Sequence, residues 1–155
     1  MRFFSKALYL YLLLILSTSL PVQAETLLTP DIYRLSREAH NILANAKLSD
    51  GSLIGEERAK TLVYPLIPDE LIDLVVKRGY LSGFAAGCGL DWEKGFFLPT
   101  MSFVHQKHKD YNDFQFAYVG MLHGLSMGEA EKSLEKTPCD DALKKKLISD
   151  SAVGK

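Results

Sequence analysis

The chain has 155 residues, with 18 lysines and arginines against 19 acids and only two cysteines. A length of this order suits one domain with a modest core. A balance this near neutral gives no electrostatic reason to expect nucleic acid or an anionic membrane as a partner.

Arg2 and Lys6 precede an apolar run from Ala7 to Leu16, then Pro21 and a Val22-Gln23-Ala24 exit. A positive start, a short apolar middle and small residues at the exit are the signature of a cleaved secretory signal peptide. The run is shorter than the about 20 residues a helix needs to span a bilayer. No cysteine follows the exit to take a lipid. The expectation is removal of residues 1–24 and a single helical domain over 25–155, periplasmic or secreted, with no stable membrane span after cleavage. Both leader cations leave with it, so 16 remain against 19 acids.

Thr29-Pro30-Asp31 reads as a helix start: a hydroxyl cap, a proline in the first turn and an acid at the positive end. Ile32, Leu35, Ala39, Ile42, Leu43 and Ala46 continue one apolar stripe, which predicts a helix ending before Ser49-Asp50-Gly51. Pro65 and Pro68 rule out a rod over 52–67 and leave a short helix, within 56–64, and a turn. Pro68-Asp69-Glu70 opens a longer helix carrying Leu71, Leu74, Val75, Leu81, Ala85 and Cys88, to about Gly89.

Asp91 is placed to cap a third helix, running through Trp92, Phe96, Phe97, Met101 and Val104, which Pro99 should bend or split. A fourth begins near Asn112 and carries Phe114, Ala117, Tyr118, Met121 and Leu125. The stretch 129–136 reads as a separate turn or two. Thr137-Pro138-Cys139-Asp140 is a third proline start, leading to a short last helix with Cys139, Leu143 and Leu147 on one face. No segment alternates with period two. The fold class is all-α, a bundle of about five helices.

Cys88 and Cys139 are the only cysteines, and neither has a CxxC partner or an adjacent histidine. In an oxidising compartment such a pair forms a disulfide.

Glycines recur every fourth residue in two helices: Gly79, Gly83 and Gly87, then Gly120, Gly124 and Gly128. Each set lays a bare strip along one helix face. An interior glycine costs about 1 kcal/mol relative to alanine, so close packing or a groove must offset the cost. If the strips face one another, Gly83 and Gly124 lie near the crossing. Otherwise rings such as Trp92, Phe96, Phe97, Phe103, Phe114 or Tyr118 fill them. Short connections would run the two helices parallel, bringing Cys88 and Cys139 to one end.

His105 and His108, three apart with Asp110 and Asp113 beyond, have weak metal-ligand spacing. They read better as the solvated end of a helix, where Lys107 and Lys109 would oppose a bound cation, and no metal or other cofactor is expected. His123 on an apolar helix reads as a core-edge imidazole or a pH-responsive contact. Ser126 follows it by three residues, but no acid is placed to orient the ring for nucleophilic catalysis. Asp91-Trp92-Glu93 offers two carboxylates beside a ring, yet capping explains both. With no catalytic constellation, the reading is a non-enzymatic exported protein that binds another protein, as immunity proteins or acid-stress chaperones do. A small-ligand or metal carrier is the alternative. Partner identity and oligomeric state are not encoded in any motif.

Overall fold

A computed structural model describes residues 29–134 and 139–151, so the signal-peptide reading lies outside the described residues. These residues form six α-helices and no strand, closed by a Cys88–Cys139 disulfide. Helix α1 spans Pro30–Asn41, with Thr29 as its cap. It stops short of Ala46, because a 3-10 turn at Leu43–Asn45 takes over. The physical cause is the returning chain. Asp50 accepts from the Ser52 amide at 2.9 Å, and Gly51 adopts φ +82°. That tight turn lets the amides of Ile54 and Gly55 reach the carbonyls of Ala46 and Ala44. Those carbonyls are satisfied across the turn instead of along a helix. Leu43 and Ala46 are buried nonetheless.

Helix α2 is a single turn, Glu56–Ala59. Helix α3, Asp69–Gly87, ends in a Schellman motif. Gly89 takes φ +70°, its amide bonds the Ala86 carbonyl, and the Leu90 amide bonds the Ala85 carbonyl at 2.8 Å. Trp92 to Val104 is not one regular helix. A π turn at Glu93–Phe97 leads into α4, Leu98–Lys107. Pro99 has no amide to offer the Gly95 carbonyl, so regular α-helical bonding fails here. The buried Thr100 hydroxyl bonds the Phe96 carbonyl at 2.7 Å.

Helix α5 runs unbroken from Asp113 to Leu134, absorbing most of the stretch expected to separate at 129. Ala130, fully buried against Gly83, explains the continuity: packing on α3 holds the last turns helical. The Thr137-Pro138 start lies outside the described residues. Helix α6, Asp141–Asp150, is capped by Asp140, whose carboxylate accepts from the Leu143 amide at 2.7 Å.

The most extensive contact joins α3 and α5. Gly79 meets His123 and Ser126, Gly83 meets Met127 and Ala130, and Gly87 meets Leu134, so the two helices run parallel. The main core lies where α1, α3 and α5 converge, around Leu35, Ile72, Val75, Tyr118 and Leu122. Tyr118 donates to the Ser36 carbonyl at 2.9 Å, pinning α1 to α5. A smaller apolar cluster of Ala85, Phe96 and Leu147 packs beside the disulfide. No helix of the described residues is long and apolar enough to cross a membrane.

Candidate functional site

The two glycine strips do different things. A methyl added to Gly79 would lie 2.5 Å from the Ser126 Cβ and 2.6 Å from the His123 carbonyl oxygen. At Gly83 it would run into the Met127 carbonyl and reach 2.7 Å from the Ala130 Cβ. This bare face is what lets α3 seat against the α5 backbone. Among the described residues, nothing lies within 4 Å of a methyl added at Gly120, Gly124 or Gly128. The strips therefore do not face each other, and Gly124 is exposed, away from the crossing. The reason is rotational: Val119, Leu122, His123, Ser126 and Ala130 point to the interior, which turns the α5 glycine row outward.

Gly120 lies on the wall of a groove of about 630 Å³ between α5, the segment 45–49 and the α4 end of the bundle. Phe97, Phe116, Ala117 and Met121 supply its apolar lining, and Lys47, Ser49, His105 and Asp113 its polar groups. Ser49 donates to the Asp113 carboxylate at 2.7 Å, tying the segment 45–49 to the first turn of α5. His105 lies flat on Phe116, ring centroids 3.9 Å apart and planes 20° off parallel. The groove thus has aromatic walls and both charge signs.

His105 and His108 do not converge, because His108 stacks instead on Tyr111, at 4.5 Å. Among the described residues no group of three or more histidines, cysteines or acids is placed to hold a metal ion. Asp91 is exposed and accepts from the Lys94 amide at 3.1 Å. That bond, with the Lys94 ammonium 3.3 Å away, holds its carboxyl below the usual range. Trp92 turns toward Phe97, with centroids 6.1 Å apart.

His123 is 1% exposed. Its Nε2 lies 3.1 Å from the Ser82 hydroxyl, and its ring meets Phe97 edge-on at 5.0 Å. Burial alone pushes the imidazole from 6.5 down to about 4. Ser126 is not its partner, since that hydroxyl bonds the Leu122 carbonyl at 2.8 Å. Among the described residues no acid orients the ring of the Ser82–His123 pair, and Ser82 is wholly buried. Sequence reading missed Ser82, although it lies between Gly79 and Gly83 on the same face of α3. A polar residue on a strip that must pack against another helix was the available signal.

No protein-family model matches the chain, and neither a curated protein nor a solved structure does. The site must be read from its own geometry. A closed disulfide is the chemistry of an oxidising compartment.

Proposed function

We propose that the chain is an exported, non-catalytic binding protein whose groove beside α5 receives a segment of another protein. One observation carries the reading. The α5 glycine row has no packing partner within the described chain, although each such residue costs about 1 kcal/mol in a helix. The α3 row is compensated by close packing. Gly120, the first of the α5 row, leaves backbone open beside Phe97 and Phe116, which suits an incoming main chain or apolar side chain. Lys47 and Asp113 at the same groove supply opposite charges to set orientation. The leader and the disulfide support export.

The test places a photo-crosslinking side chain at Lys47 and, as control, at Lys145 on α6, in cells that export the protein. The expected result is a discrete protein adduct from position 47 alone, lost when Gly120→Leu fills the groove. Thermal denaturation should show the Gly120→Leu chain folded, because open space surrounds that position. An adduct that persists in Gly120→Leu would refute the groove as the binding site. Stoichiometric co-purification of a small molecule, displaced by Gly120→Leu, would instead favour a ligand carrier.

A further inference from the structure

His123 occupies a position that no packing requirement explains. An apolar residue would suit the α3–α5 crossing, where the ring is buried and Ser82 is its hydrogen-bond partner among the described residues. The imidazole also meets the Phe97 ring, and Phe97 in turn lines the groove. One aromatic ring thus separates a buried titratable group from the candidate binding surface.

We propose that His123 is a proton-driven switch for the groove: charging the imidazole expels it from the α3–α5 crossing, displaces Phe97 and remodels the groove wall. The consequence for binding rests on the groove reading above. The movement of His123 and Phe97 does not.

The charge has nowhere to go in place. From α3 the ring is faced by Ser82 and from the π turn by Phe97, both uncharged. Among the described residues no charged side chain contributes to its shift. Several charged groups on the surrounding elements are engaged elsewhere, while Glu70, Glu93 and Glu131 make no contact with the ring. Lys77 pairs with Asp73, Lys94 with Asp91, and Glu129 with Arg34 and Lys132. Arg78 reaches the Asp150 carbonyl at 3.4 Å. A serine hydroxyl can accept one bond from an imidazolium, but it brings no counter-charge.

The direction of the effect follows from linkage. The buried imidazole binds its proton more weakly than the released one, so the closed arrangement is fully favoured above pH 6.5. It loses ground as pH falls from 6.5 to about 4, and loses no more from this group below that. The gap corresponds to a roughly 300-fold shift in the closed-to-open ratio.

Trp92 is the only tryptophan, and its contact with Phe97 makes its emission a reporter of the groove wall. The experiment follows Trp92 emission, far-UV circular dichroism and the His123 imidazole NMR signals from pH 7.5 to 3.5. Wild-type, His123→Gln, Asp91→Asn and His105→Gln proteins are compared, the last two to remove the carboxylate beside Trp92 and the imidazole in the groove. The expected result is a Trp92 emission step between pH 6.5 and 4, with helical ellipticity retained. The step coincides with the His123 titration, survives Asp91→Asn and His105→Gln, and vanishes in His123→Gln. The same step in a folded His123→Gln protein would overturn the proposal. So would a wild-type His123 signal that titrates while Trp92 emission stays flat, a result that needs no variant. If the step occurs but no groove adduct forms at neutral pH, the switch stands and the binding reading falls.

Discussion

Adding one methyl group at either of two glycines with the same spacing should move stability in opposite directions. At Gly83 the new methyl meets the Met127 carbonyl and the Ala130 Cβ at 2.7 Å. Unbonded carbons rest at about 3.5–4.0 Å, so α3 must withdraw by roughly 1 Å along its main contact. The obstruction on the Met127 side is backbone, which no rotamer change can clear. Overpacking of this kind costs about 1–3 kcal/mol, while alanine returns about 1 kcal/mol of helix propensity. With a backbone obstruction the upper end of that range applies, so the net for Gly83→Ala is a loss of about 2 kcal/mol. Gly124→Ala meets nothing within 4 Å among the described residues and keeps the propensity gain, about 1 kcal/mol of stabilisation. Urea denaturation followed by circular dichroism, with the disulfide intact, measures both. The two midpoints should fall on opposite sides of wild type, with unchanged slopes. A neutral or stabilising Gly83→Ala, or a destabilising Gly124→Ala, would refute the assignment of the two strips.

Two tyrosines offer a second pair of opposite signs. Tyr118→Phe removes the second hydrogen bond to the buried Ser36 carbonyl and should cost about 1 kcal/mol, whereas the Tyr111 hydroxyl is buried with no partner among the described residues. Tyr111→Phe should therefore be neutral or stabilising in the same urea assay, and a large loss would show that its hydroxyl has a partner. Replacing Cys88 and Cys139 together by alanine opens a loop of sequence separation 51. In the chain-entropy model this costs about 4 kcal/mol, and a melting temperature equal to wild type would contradict it. Asp140→Ala removes the cap on the Leu143 amide and should cost about 1 kcal/mol. Hydrogen exchange should show faster opening of α6, with the centre of α3 unaffected.

How much was legible depends on the distance over which each decision is made. The cap at Thr29, the apolar stripes of α1 and α3 and the pairing of Cys88 with Cys139 follow from local chemistry or from elimination among two thiols. So does the parallel run of the two glycine-bearing helices, because short connections with one helix between them leave little choice. The early end of α1 was not legible. It depends on the Ala44 and Ala46 carbonyls finding amides in the returning chain. The continuity of α5 past residue 129 depends in the same way on Ala130 finding Gly83. At the candidate site, His123, Gly120 and His105 were all singled out, yet their roles were not. Ser82 lies 41 residues from its imidazole, and the groove needs the segment 45–49 beside α5.

Sequence alone determined that this protein is helical, where its main helices begin, and which two sulfurs join. Each of these is settled by residues within a few turns of one another, or by there being no other choice. Tertiary structure decided which glycine row is packed and which is open, because spacing places residues on one face without saying which way that face turns. That rotation is set by the whole apolar set of α5 competing for the interior. It is also what leaves Gly120 beside the groove and His123 beneath Phe97.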